Sequence, residues 1–217
     1  MAGIACVKRV SADDSGAQVL AEALRGGGVA VFPTDTVYGI AQSVLSNPSG
    51  AQALFTIKRR PLEKAVPWLV EGDEALARFG VDVPDYARAF AERFWPGGLT
   101  LVVKASEEVP PAYRSSDGTV ALRCPDSAFV RTLIHAVGSP LATTSANTSG
   151  MPAPTSFDDI EARILNEVDA AADGGITPKG VSSTVVLCVG DVAHVSRRGA
   201  VPPEALDSIL DDYGLRE

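Results

Sequence analysis

Residues 26–39 read GGGVAVFPTDTVYG, and the order of signals in this stretch decides the fold. The three glycines end a helix. Residues 15–25 (SGAQVLAEALR) carry apolar side chains at helical spacing, and glycine just past the last of them is a common stop. Residues 29–32 follow as a short apolar strand halted by Pro33. A helix feeding a buried strand that opens into the polar turn Thr34-Asp35-Thr36 is the repeating unit of an α/β protein.

The alternation continues outward from there. Asn47-Pro48 predicts a helix cap with proline in the first turn, opening a helix to about residue 59. Residues 67–70 read as a strand. Residues 84–95 read as a helix with Tyr86, Phe90 and Phe94 on one face, more core than base-stacking platform. The turn Pro96-Gly97-Gly98 leads into a β-branched strand at 99–104, and 119–124 reads as another. Asp126 is expected to cap a helix to about 137, and 141–144 to form a short strand. Ser156 with Asp159 predicts a capping-box start to a helix reaching about 168. Residues 184–189 and 192–196 predict a hairpin around Gly190-Asp191, and a last helix follows Pro202-Pro203. The expectation is one α/β domain over residues 1–217 with a twisted mixed sheet.

Composition narrows the function classes. A chain of 217 residues, 46% hydrophobic and 21% charged, can bury a full core. No apolar run follows Lys8 and Arg9, and none approaches the ~20 residues of a membrane span, so a soluble cytoplasmic protein with no membrane contact is expected. The net charge of −8 is a poor match for a polynucleotide, whose binding draws on many contacts from lysine and arginine to phosphate. The basic residues instead cluster at Lys58-Arg59-Arg60 and Arg197-Arg198. That suits a small anionic ligand and leaves at most a weak contact with RNA.

Cys6, Cys124 and Cys188 are far apart and odd in number, which favours reduced thiols over a disulfide framework. His135 and His194 are too scattered for a zinc site, and His135 lies off the apolar face of its helix. A Ser-His-Asp hydrolase therefore has little to build on, and no GxxxxGK[ST] phosphate loop is present.

Four segments put polar residues directly at strand ends, where α/β proteins build ligand sites. They are Thr34-Asp35-Thr36 after the first strand, Lys58-Arg59-Arg60-Pro61 at a helix end, Thr143 to Gly150, and Ser182-Ser183-Thr184 with Arg197-Arg198-Gly199 on the hairpin partner. Each has an ordinary reading taken alone. Threonine and aspartate cap their own turns, and cations at a helix C-terminus complement its dipole.

Taken together and in order, the segments resemble the YrdC-like family, the threonylcarbamoyl-AMP synthases. The pieces are PTDTVYG (33–39), KRRP (58–61), WPGGLT (95–100), TVALRCP (119–125), SANTSG (145–150), SST (182–184) and RRG (197–199). They span about four-fifths of the chain and match the single-domain form, without the further C-terminal domain of longer relatives. Gly98, Arg198 and the pair Ala65-Val66 depart from the usual pattern, which touches loop shape more than polar ligands.

The resemblance implies a mixed sheet wrapped by helices around a deep, positively lined cavity. It also implies a nucleotidyl transfer in which L-threonine, bicarbonate and ATP become threonylcarbamoyl-AMP and pyrophosphate. Downstream threonylcarbamoyl-transfer proteins would then pass the group to an adenosine in tRNA. The implied catalytic pair is Lys58 and Arg60, solvated at a helix end and facing the triphosphate. Thr119, Ser145, Asn147 and Arg197 would hold the nucleotide. Thr34, Arg123, Thr143 and Ser183 would hold threonine, with Arg123 on its carboxylate. Mg²⁺ is expected with ATP, although no side-chain cluster reads as a cage for it. Two rival readings stay open: a nucleotide- or RNA-binding module without turnover, and an enzyme handling a carbamoyl-adenylate.

Overall fold

A computed structural model describes residues 7–59 and 66–214. In chain order the first elements are β1 (Lys8–Ser11), α1 (Asp14–Arg25), β2 (Ala30–Pro33), β3 (Tyr38–Ser43), α2 (Gln52–Lys58) and β4 (Trp68–Leu69). Then come α3 (Glu74–Phe79), α4 (Asp85–Phe94), β5 (Leu99–Lys104), β6 (Thr119–Arg123), α5 (Ala128–Val137) and β7 (Leu141–Ser145). The last are α6 (Ala162–Leu165), β8 (Ala170–Asp173), β9 (Thr184–Cys188), β10 (Ala193–Arg197) and α7 (Pro203–Asp212).

The strands form one mixed sheet in the order β1-β8-β2-β3-β7-β4-β6-β5-β9-β10. Parallel pairs (β1 with β8, β8 with β2, β4 with β6, β5 with β9) are combined with antiparallel ones such as β2 with β3 and β9 with β10. The α/β class and mixed sheet read from the sequence are what the chain adopts.

Strand alternation divides the side chains between two cores. Ile40, Trp68, Leu101, Leu122, Ala142 and Val186 point to one face, where α2, α3, α4, α6 and α7 cover them. Ala30, Phe32, Ala41, Leu69 and Leu141 point to the other, under α1 and α5. Those two helices cover only part of that face. The strands beyond them, from β7 to β10, are left partly bare, and the site lies there.

The glycine stop behaves as expected: the N–H groups of Gly26, Gly27 and Gly28 return to carbonyls of the last turn of α1, and Gly27 takes φ +86°.

Several boundaries differ from the sequence reading. Asn47 caps no helix. Its amide closes a turn, donating to Ser43 O at 3.1 Å and accepting from Gln42 Nε2 at 3.1 Å, and α2 begins only at Gln52. Side-chain bonds of this kind to neighbouring groups compete with the N-cap role for the same side chain. The cap of α5 is Ser127, whose Oγ accepts from Val130 N at 3.3 Å, and not Asp126. The Ser156–Asp159 capping box is present but nucleates only a single 3₁₀ turn. Ile160 and Glu161 are extended, so α6 is a separate four-residue helix.

Candidate active site

The bare part of the sheet forms the floor of a cleft of about 480 Å³. Thr100 and Val102 of β5, Ala121 and Arg123 of β6, and Thr143 of β7 all line it. They alternate with core residues on the opposite face, so the strand pleat itself aims them here.

One wall is the β2–β3 turn. Thr34 Oγ1 donates to Val37 O at 2.8 Å and lies 2.9 Å from Thr36 Oγ1, so its hydroxyl holds the turn while still lining the cleft. Asp35 points away from its own backbone. Its carboxylate is almost fully buried, with Oδ1 accepting from Arg123 Nη2 and Oδ2 from Lys179 Nζ at 2.8 Å. Arg123 is fixed on further sides by Nε donating to Gly97 O and Nη1 to Thr36 Oγ1, both at 2.9 Å. Burial pushes this guanidinium below the ordinary arginine range, while the charge and hydrogen bond of Asp35 pull it back up.

The facing wall is built from β5, β9 and β10. Thr100 and Ser183 share a hydrogen bond of 2.8 Å between their hydroxyls. Arg197 adds Nη2 to Ser183 Oγ at 2.9 Å and Nε to Ser183 O at 3.0 Å. This approach needs Gly199: a Cβ there would sit 2.2 Å from Ser182 O. On the third side, Thr143 donates to Leu141 O at 2.9 Å and Ser145 closes the end of β7.

Thr34, Arg123, Thr143, Ser145, Ser183 and Arg197 therefore converge on one cleft. Other expected residues stand elsewhere. Lys58 is not solvated. It is 3% exposed, and its Nζ donates to the carbonyl oxygens of Ser145 and Asn147, the latter at 2.6 Å, behind the cleft wall. The end of α2 points straight at a loop whose carbonyls need a donor, and that overrides the expectation of a hydrated helix terminus. Asn147 is buried with it, donating to Thr148 O at 2.9 Å and Met151 O at 2.6 Å. Thr119 lies one pleat further along β6, bonded to Asp117 Oδ1 at 2.8 Å and Ser115 Oγ at 2.6 Å. Arg60 lies outside the described residues.

Thr36 and Thr100 fall inside motif segments but carry no role in the sequence reading, and Lys179 lies outside those segments. Thr100 could have been given a role, because it is the polar member alternating with Leu99 and Leu101 on β5. Among the described residues the cleft lining holds no histidine or cysteine, but it does hold two arginine forks and several hydroxyls. Such a lining suits binding and orienting anions more than supplying a nucleophile.

Residues 22–199 match the profile of the Sua5/YciO/YrdC family, described as "Telomere recombination". The chain belongs to this family. A threonylcarbamoyl-AMP synthase of Pyrococcus abyssi is 33% identical over 198 residues, covering 91% of this chain and 58% of that protein. A putative threonylcarbamoyl-AMP synthase of Mycobacterium tuberculosis is 33% identical over 188 residues, covering 87% of this chain and 86% of the relative. The crystal structure of P. abyssi Sua5 complexed with L-threonine superposes with a TM-score of 0.81 at 31% identity, over 94% of this chain and 59% of that one. The chain thus spans about three-fifths of the length of the P. abyssi protein.

Proposed function

We propose that this chain is a threonylcarbamoyl-AMP synthase, joining L-threonine, bicarbonate and ATP. One observation carries the reading: Thr34, Arg123, Thr143, Ser183 and Arg197, distant in sequence, meet in the wall of a single cleft. A relative with the same fold binds L-threonine, and relatives that match most of the chain bear the synthase name.

In this reading the threonine amine captures bicarbonate as a carbamate, with loss of water. A carbamate oxygen then attacks the α-phosphorus of ATP, an O–P bond forms, and the bond to the departing pyrophosphate breaks. Phosphoryl-group chemistry of this kind asks the protein for positioning and charge neutralisation. Arg123 receives the threonine carboxylate, and Thr34, Thr143 and Ser183 surround the amino acid. Arg197 and Ser145 take the nucleotide. Lys58 acts through the Ser145–Asn147 loop that it holds, and Arg60 and Thr119 remain part of the nucleotide proposal. Among the described residues no group of three His, Cys, Asp or Glu side chains could hold a metal. Mg²⁺ is therefore proposed as the counter-ion that ATP brings with it. The product would go to downstream threonylcarbamoyl-transfer proteins in the cytoplasm, with RNA contact at most weak. No helix among the described residues is long and apolar enough to cross a membrane.

The test is pyrophosphate release from ATP with threonine and bicarbonate each present or omitted. Release requiring both, with a threonine-containing adenylate seen by mass spectrometry, is the expected result. Release indifferent to threonine would move the assignment to a carbamoyl-adenylate enzyme. Nucleotide binding without release would move it to a binding module.

A further inference from the structure

Lys179 belongs to none of the motif segments, yet it touches the cleft's central ion pair. Asp35 is 3% exposed and holds two cations at once, Arg123 on Oδ1 and Lys179 on Oδ2 at 2.8 Å. The backbone N–H of Lys179 also donates to the carbonyl oxygen of Asp35, at 3.1 Å. This two-point grip pins the segment that leads into Ser182 and Ser183, which line the cleft. The same segment is tied down by Thr177 N to Thr155 O at 2.8 Å and Ala200 N to Ser182 O at 2.9 Å.

The charge balance of the cluster matters more than the pinning. A buried Arg123–Asp35 pair alone is neutral and exerts little pull on a bound anion. With Lys179 there are two cations against one carboxylate, and the cluster keeps one net positive charge. Arg123 carries five N–H donors. Three of its nitrogens are committed, to Gly97, Thr36 and Asp35, which leaves donors of the fork for a ligand in the cleft.

We propose that Lys179 is a positioning residue for the amino-acid substrate: by sharing the Asp35 carboxylate, it leaves the Arg123 charge to the substrate's carboxylate. The inference rests on the proposed function in taking L-threonine as that ligand. Lys179 contacts Asp35 and is not among the residues lining the cleft, and its side chain is 37% exposed, so replacing it removes charge without opening the core.

The experiment measures dissociation constants for L-threonine and for ATP by calorimetry, in wild type and in K179M, K179Q and K179R. Misplacing or discharging a group one shell from the ligand is expected to weaken threonine binding about tenfold in K179M and K179Q. K179R should stay within about twofold of wild type, and ATP affinity should not change in any variant, since the effect is confined to the Arg123 fork. Unchanged threonine affinity in K179M overturns the inference. So does equal loss for ATP and threonine, which would mean a collapsed wall, and so does wild-type behaviour of K179Q, which would mean a pin without an electrostatic role. A wild-type protein that binds no threonine sinks the proposed function and this inference with it. Wild-type binding matched by K179M sinks this inference alone.

Discussion

The ammonium group of Lys58 donates to the backbone carbonyl of Asn147 at 2.6 Å, across 89 residues of sequence. It also donates to Ser145 O and approaches Asn147 Oδ1 at 3.3 Å, so the helix end and the SAN loop are one unit. A buried lysine of this kind is a structural group as well as a candidate for the reaction. Replacing it with methionine keeps the volume but takes the ammonium donor from Asn147 O, while Ser145 O still accepts from the backbone N–H of Asn147 at 3.0 Å. Each buried acceptor left unsatisfied costs about 1–3 kcal/mol. Lys58→Met should therefore lose both turnover and stability, the latter read from the urea midpoint. A variant as stable as wild type would show that the loop finds other donors.

This corrects the reading of Lys58 from sequence, where a cation at a helix end looks hydrated. The partners of its ammonium are main-chain oxygens brought up by folding, and no residue type announces them. The same holds for Asp35 and Lys179, which meet across 144 residues. What could be read had a local physical marker. The span of α4 followed from its aromatic face, and β5 with the β9–β10 hairpin followed from β-branched runs between glycine turns. Strands without a marker were missed. All six residues of β3 are buried, so no apolar–polar alternation shows. In β8 the sequence is AAAD, which favours helix by propensity, yet it becomes a strand between β1 and β2. Its small side chains admit the equally small Ala17 and Ala21 of α1 in the same core. Arg123, Thr143, Ser183 and Arg197 reached the cleft because each sits in or next to a strand whose end was already legible.

Asp35 gives a second prediction. The Arg123–Asp35 pair has side chains 7% and 2% exposed. Breaking a buried pair by removing one partner leaves an uncompensated charge, at a cost of about 3–5 kcal/mol. Asp35→Ala should be destabilised by roughly that amount in urea unfolding, and far more than Lys179→Met, whose side chain reaches solvent. Equal destabilisation of the two variants would contradict the geometry described here.

Gly199 offers a test that touches no polar side chain. Its missing Cβ leaves room for Ser182 O and for the Ser183 main chain, the latter at 2.5–2.6 Å from where a Cβ would sit. Gly199→Ala must push the β10 end away from that wall, and overpacking of this kind costs about 1–3 kcal/mol. The hydrogen bonds from Arg197 to Ser183 lengthen with it. The expected outcome is weaker nucleotide and threonine binding together, in contrast to the selective effect of K179M. Wild-type affinity for both ligands would show that the wall yields without loss.

The buried thiols and phenols set the response to alkali. Burial pushes Cys124 up to about 11 and Cys188 to about 12, and Tyr86 and Tyr113 to about 12. In the unfolded chain these groups ionise near ~8.5 and ~10. Acids whose folded value is raised contribute stability that is complete below the unfolded value and is lost as pH rises toward the folded one. The melting temperature should therefore hold to about pH 8.5 and fall steadily above it. Cys188→Ala removes one of these groups, so its melting temperature should start lower at pH 7.5 but decline less steeply toward pH 10.5. At pH 8, alkylation of Cys124 and Cys188 by iodoacetamide, followed on their peptides, should be slow in the folded protein and rapid in urea, because only the thiolate reacts. A Cys188→Ala curve parallel to wild type, or rapid labelling of either thiol without denaturant, would show that these groups are not held neutral by burial.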